Sequence, residues 1–113
     1  MLVSIVIPCY NSEFTIEKVV DLCMETFDGL DNYECEMVLV NDYSKDQTFE
    51  AITRAATKYP NVYGVNLARN FGQHAAIMAG LQYVHGDLVL GMDDDMQNHP
   101  SQIVQFLDKA AEG

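Results

Sequence analysis

The chain is short of basic side chains: Lys and Arg number 6 against 17 Asp and Glu, giving a formal net charge of -11 over 113 residues. Affinity for nucleic acids and anionic lipid surfaces rests mainly on neutralising phosphates with cations, so nonspecific binding to DNA, RNA or such membranes is disfavoured. Cysteine is also sparse. Cys9, Cys23 and Cys35 are widely spaced, with no Cys-x-x-Cys pair and no small secreted framework, which fits a reducing compartment. No apolar run approaches the roughly 20 residues that span a bilayer, and Met1 leads into Leu2-Val3-Ser4-Ile5-Val6-Ile7 without a basic flank or cleavage signature. The expectation is a soluble, cytoplasmic chain. Low-complexity stretches, repeats and linkers are missing as well, so residues 1–113 are read as a single unit without an internal boundary.

What is present is apolar surface. A hydrophobic fraction of 49% with 20% charged residues suffices for one globular core. Four β-branched runs, Leu2 to Ile7, Glu36 to Val40, Val62 to Leu67 and Leu88 to Met92, each precede a segment with apolar residues at helical spacing. The stripes are Ile16, Val19, Val20, Cys23 and Phe27; Phe49, Ile52, Ala56 and Tyr59; Ile77, Gly80, Leu81 and Val84; and Ile103, Phe106, Leu107 and Ala110. Strands that are apolar on nearly every residue are expected where helices cover both faces of a parallel sheet. A three-layer, doubly wound α/β/α domain with a mostly parallel sheet follows. Asp46 is placed to cap a helix from Gln47, Pro60 to close it, Gly86 to stop the third helix and Pro100 to open the fourth.

In open α/β sheets, ligands lie beyond the carboxyl ends of the strands. Those ends read Pro8-Cys9-Tyr10-Asn11-Ser12-Glu13, Asn41-Asp42-Tyr43-Ser44, Arg69-Asn70-Phe71-Gly72 and Asp93-Asp94-Asp95-Met96-Gln97-Asn98. Three adjacent carboxylates repel one another, and at the exit of a buried strand a cation offsets them. Mg2+ and Mn2+ take hard oxygen ligands and leave positions for water and substrate phosphates, which an Asp-x-Asp pair allows. A solvated acidic turn is the plainer alternative. A calcium EF-hand loop is excluded, because Asn98 and Val104 stand where glycine and glutamate are needed. Asp42 can accept from a base edge or a ribose hydroxyl, or serve as a turn residue; Tyr10 can stack on a base or be a half-buried aromatic. Arg69, the one Lys or Arg between Lys58 and Lys109, is a candidate diphosphate contact or a structural ion-pair partner. Cys9 has no partnered base and reads as a packed thiol. His85 reads as a surface residue.

Val3 to Asn11, Val40 to Thr48 and Met92 to Gln97 resemble the three signatures of family 2 glycosyltransferases of the GT-A fold. Arg69-Asn70-Phe71-Gly72-Gln73-His74-Ala75-Ala76-Ile77-Met78-Ala79-Gly80-Leu81 and Gln97-Asn98-His99-Pro100 resemble the subgroup that transfers a sugar from a nucleotide donor to a polyprenyl or dolichyl phosphate. The likeness runs from Val3 to about Gly113. It implies that Pro8, Tyr10 and Asn11 belong to the nucleotide side, with Asp42 holding the base, Arg69 at the diphosphate and Asp94 approaching the ribose. Asp93 and Asp95 would be the metal-binding pair and Gln97 would complete the shell around Mg2+ or Mn2+. Asn41 stands where aspartate is common, Tyr43 where glycine is common and Ser12 where glutamate is common.

The implied activity is metal-assisted inverting transfer from a UDP- or GDP-sugar to a lipid-phosphate acceptor, with the full-length enzyme at the cytoplasmic face of a membrane. The resemblance further implies that these residues are the donor-binding half of a larger enzyme, poorly active alone, whose exposed docking surface would favour a homo-oligomer. Two rivals remain: a non-catalytic nucleotide-binding module, and a receiver-like Mg-binding signalling domain, which would need acidic residues after the first strand. A nucleotidyltransferase would need a glycine-rich, basic first loop, which is absent.

Overall fold

The computed structural model describes residues 1–92, 94 and 100–112. Its elements alternate as β1 (Leu2–Cys9), α1 (Ile16–Asp28), β2 (Glu34–Asn41), α2 (Thr48–Lys58), β3 (Val62–Asn66), α3 (Gln73–Gly80), β4 (Leu88–Gly91) and α4 (Pro100–Glu112). A 3-10 turn, Leu81–Tyr83, follows α3 directly. The four strands form one parallel sheet in the order β3-β2-β1-β4. The expected α/β architecture is therefore present.

Pleating sorts the two central strands between the layers. Val3, Ile5, Ile7 and Cys9 of β1 and Met37 and Leu39 of β2 point to one face, where they meet α1, α2 and α4. Val6, Val38 and Val40 point to the other, covered by Ala76 of α3. All five residues of the first expected stripe are buried, as are Ile103 and Leu107 of the fourth. Full burial of a Leu, Ile or Val side chain contributes about 1.5–3 kcal/mol, so this layer is the main source of stability. Surface ion pairs between α1 and α2, Arg54 with Glu17 at 2.6 Å and Lys58 with Asp21 at 3.0 Å, add little because both are exposed.

Several sequence expectations need correction. The second helix has a buried face wider than the expected stripe: Ile52 of that stripe is fully buried, Phe49, Ala56 and Tyr59 pack half-buried against the same core, and Thr48, Ala51 and Ala55 are buried beside them. The third packs through small residues, Ala76 and Gly80, while Leu81 lies beyond its end and is exposed. Close approach explains this: a Cβ on Gly80 would fall 2.6 Å from Val6 Cγ1 and 2.9 Å from Val40 Cγ2. Gly86 does not stop that helix. It leads into β4, where its N–H donates to Ser4 Oγ at 2.8 Å and an added Cβ would fall 2.7 Å from the Ser4 nitrogen. The helix begins at Thr48, one residue later than expected, and Asp46, two residues before it, accepts from the Thr48 N–H at 3.0 Å. β3 and β4 are partly exposed, because each is an edge strand of the described sheet.

His85 is surface-exposed, yet its Nδ1 stands 3.1 Å from Glu36 Oε1, and its N–H donates to the same buried carboxylate. That pairing explains how β2 carries a glutamate among apolar residues.

Candidate functional site

The chain runs from β1 outward to β2 and β3, then crosses back to place β4 on the far side of β1. The direction of winding thus reverses between β1 and β4, and loops diverging there leave a crevice at the carboxyl ends. A cleft of about 460 Å3 lies at this end, lined by Pro8, Cys9, Tyr10, Asp42, Asn70, Gly72, Gln73 and Asp94. Four residues expected on the nucleotide side, Pro8, Tyr10, Asp42 and Asp94, meet in it.

Asp42 is buried, and both of its oxygens are occupied: Oδ1 accepts from the Phe71 N–H at 2.8 Å and Oδ2 from the Gly72 N–H at 3.0 Å. The carboxylate therefore ties the end of β2 to the loop before α3, while each oxygen retains a second lone pair for a ligand. Gly72 has φ of 92°, a backbone conformation that L side chains rarely adopt. Asn41, next to Asp42, donates through Nδ2 to Asn66 Oδ1 at 2.8 Å and accepts at Oδ1 from Ser44 N at 3.2 Å and Ser44 Oγ at 2.6 Å. An aspartate could not donate to Asn66 in this way while ionised. Tyr43, between these ties, has φ of 55°, a left-handed backbone conformation that glycine adopts without steric cost.

The first loop is held from both sides. Asn11, at φ of 52°, donates its N–H to Ser44 Oγ at 3.0 Å and accepts at Oδ1 from the Lys45 N–H at 3.2 Å. The Ser12 N–H donates to Thr48 Oγ1 at 2.8 Å. On the β4 side, Asp94 Oδ2 accepts from the Tyr10 N–H at 2.9 Å, and its carbonyl accepts from Thr15 Oγ1 at 2.9 Å. Tyr10 is 46% exposed and lines the cleft, so its aromatic side chain is accessible there. Asn11 is thus a tie between loops and does not line the cleft. Arg69 does not line it either: it is exposed, with Cζ 5.7 Å from the centroid of the Phe71 ring, a cation-π contact.

Cys9 lies in the cleft wall but is buried, and desolvation, reinforced by the Asp94 charge, pushes its thiol far above the ordinary range. It is a packing residue, not a nucleophile. Asn70, Gly72 and Gln73 line the cleft although no role was read for them from sequence. Asp93, Asp95 and Gln97, the expected metal ligands, lie outside the described residues. Among the described residues no group of three carboxylate, histidine or cysteine side chains could hold a metal. The donor chemistry nevertheless fits a hard divalent cation, because β4 leads into three consecutive carboxylates and brings Asp94 to the cleft.

The model of "Glycosyl transferase family 2" matches residues 4–113. The undecaprenyl-phosphate 4-deoxy-4-formamido-L-arabinose transferase of Shewanella sediminis is 41% identical over 112 residues, covering 98% of this chain and 34% of that protein. The chain spans about a third of the length of the curated relatives it matches. Among solved structures, the mannosyltransferase PcManGT from Pyrobaculum calidifontis, in complex with GDP-Man and Mn2+, superposes with a TM-score of 0.71 at 28% identity, covering 82% of this chain and 27% of that one. S. aureus TarS 1-349 in complex with UDP-GlcNAc gives a TM-score of 0.71 at 26% identity, covering 99% and 32%. The fold is that of GT-A glycosyltransferases, and the receiver-like reading is set aside.

Proposed function

The chain belongs to glycosyl transferase family 2, and on that premise we propose that it is the donor-binding part of an enzyme moving a sugar from a nucleotide diphosphate to a polyprenyl phosphate. The observation that carries this reading is the meeting of Pro8, Tyr10, Asp42 and Asp94 in one cleft at the β1–β4 reversal. Tyr10 offers a face for a base, and Asp42 offers its remaining lone pairs to the base edge. Asn11 holds the loop that carries Tyr10. The diphosphate extends toward the N-terminal end of α3, where Gly72 and Gln73 line the cleft and the helix dipole favours an anion. Arg69 adds a cation from the exposed rim.

Asp93 and Asp95, with Gln97, would hold Mg2+ or Mn2+. Such an ion supplies positive charge for the diphosphate as it leaves. An acidic chain that binds an anionic donor with so few cations has need of it. In the proposed transfer an acceptor phosphate oxygen bonds to the anomeric carbon as the bond from that carbon to the diphosphate oxygen breaks, inverting the centre. A phosphate monoester has its second pKa near about 6, so the nucleophile is already anionic at neutral pH and no side chain must take a proton. Lipid acceptor use is supported by the undecaprenyl-phosphate relatives, and GDP- or UDP-linked donors by the two structural neighbours. No helix among the described residues is long and apolar enough to cross a membrane; work at a membrane's cytoplasmic face is proposed on the strength of the undecaprenyl-phosphate relatives.

The test is calorimetric titration of this chain with UDP, GDP and dTDP in Mn2+, beside Asp95→Ala. Saturable binding of one nucleotide that weakens at least about tenfold in Asp95→Ala is the expected result. Failure of all three to bind, or equal binding by the variant, overturns the reading.

A further inference from the structure

The resemblance assigns Asp94 to the ribose, but the structure gives its carboxylate another partner. Oδ2 accepts from the Tyr10 N–H at 2.9 Å, while the Asp94 carbonyl accepts from Thr15 Oγ1 at 2.9 Å. Both bonds cross from the end of β4 to the loop after β1, and they span the winding reversal where the cleft opens. Tyr10 lines the cleft and is 46% exposed, and the direction of its backbone governs where its ring can stand. A bond from an N–H to a carboxylate is among the stronger kinds, worth roughly twice a neutral one.

The same loop is tied on its other flank to β2–α2 through Asn11, Ser44, Ser12 and Thr48. Those ties leave the Tyr10 amide itself unaddressed. Asp94 alone among the described side chains accepts from it in the hydrogen bonds found. We propose that Asp94 is a positioning residue, which sets the Tyr10 ring for the nucleobase by holding the Tyr10 amide, rather than a direct ligand of the ribose. The inference rests on the donor-nucleotide reading of the cleft. It makes the middle carboxylate of Asp93-Asp94-Asp95 the link between the cation side of the site and the base side.

The chemistry separates this role from a charge-dependent one. An asparagine retains a carbonyl oxygen able to accept from the Tyr10 N–H, whereas an alanine retains nothing. The experiment compares the parent chain with Asp94→Asn and Asp94→Ala by calorimetry with UDP and GDP in Mn2+, and by NMR hydrogen exchange at the Tyr10 amide. Asp94→Ala is expected to lose about tenfold in nucleotide affinity and to expose the Tyr10 amide to exchange; Asp94→Asn is expected to recover to within about threefold and to keep the amide protected. Manganese titrated alone is expected to bind Asp94→Asn and Asp94→Ala equally, since both lack the Asp94 charge.

An Asp94→Asn variant as impaired as Asp94→Ala overturns the proposal, since charge or direct contact would then be the requirement. So does a Tyr10 amide equally protected in Asp94→Ala and the parent. If the parent binds no nucleotide, the donor-binding reading falls, and unchanged exchange at Tyr10 in Asp94→Ala would still be needed to refute the hydrogen bond itself. Thermal unfolding of each variant shows whether a lost affinity merely reflects a lost fold.

Discussion

Replacing Asp42 by asparagine removes one acceptor from a buried clamp that needs two. In the parent, Oδ1 and Oδ2 receive the Phe71 and Gly72 N–H groups at 2.8 and 3.0 Å, and the residue is only 3% exposed. Asparagine keeps one acceptor and turns an NH2 group toward the second N–H, donor against donor. A hydrogen bond to a charged group contributes about 1.5–3 kcal/mol, and the surviving bond becomes a neutral one worth about 1 kcal/mol. The expected net loss is about 2–3 kcal/mol, part of it regained if the loop turns one N–H to water. With a conversion of roughly 4 °C per kcal/mol for a domain of this size, Tm should fall by about 8–12 °C. Urea unfolding monitored by circular dichroism measures the loss directly, and m should stay constant if only the folded state is affected. An Asp42→Asn protein within about 0.5 kcal/mol of the parent would refute the clamp, since such a change is what an ordinary surface substitution produces.

Two further perturbations probe the fold around the site. Gly86→Ala should destabilise by about 1–3 kcal/mol in the same urea assay, because the new Cβ would sit 2.7 Å from the Ser4 nitrogen and 3.0 Å from the Leu2 carbonyl oxygen, both backbone atoms; equal stability would show that the β1–β4 edge yields freely. Burial pushes the Cys23 thiol up to about 12 and Cys35 up to about 11, so both stay protonated in the folded chain while the unfolded chain ionises near 9.0. With the folded state then holding more protons, the contribution of these two thiols is flat well below pH 9 and declines from there toward pH 11, by up to about 1.4 kcal/mol per pH unit for each thiol, and the buried Cys9 thiol, shifted the same way, adds to the decline. Urea midpoints at pH 8, 9.5 and 10.5 should fall accordingly, and less steeply in Cys35→Ala.

Legibility in the sequence followed periodicity. The α1 stripe was readable because its apolar residues recur at the helical period, and the two central strands because they are apolar on nearly every residue. The α3 face was only partly readable: Gly80 and Val84 stood in the expected stripe, but Ala76 did not, because small residues carry almost no hydrophobic signal even where they matter through close approach. Pro8, Tyr10, Asp42 and Asp94 could be nominated from strand ends because the fold delivers strand ends to one edge. Asn70 and Gly72 belonged to a strand end named in the same way, but no role could be read for them or for Gln73, since the Asp42 clamp that holds their loop is a contact distant in sequence. Tyr43 was visible as a departure in a motif; that it sits at φ of 55° needed the backbone.

The strand order also sets a sequence of events in folding. Leu2 pairs with Glu34 and Met37 with Val62, so the β1–β2 and β2–β3 seams each close over one intervening helix. The β1–β4 seam joins Val3 to Leu88, and Leu2 to the Asp87 carboxylate across 85 positions. Closing that much chain carries the larger entropic cost, and contacts of such separation form late. During synthesis, β1, β2 and β3 can therefore assemble into a three-stranded layer before β4 has emerged, with one side of β1 unpaired. The cleft is absent from that layer, because its far wall arrives with Asp94. Any ligand of the cleft can therefore stabilise the fold only once β4 has paired with β1, not the three-stranded layer that precedes it.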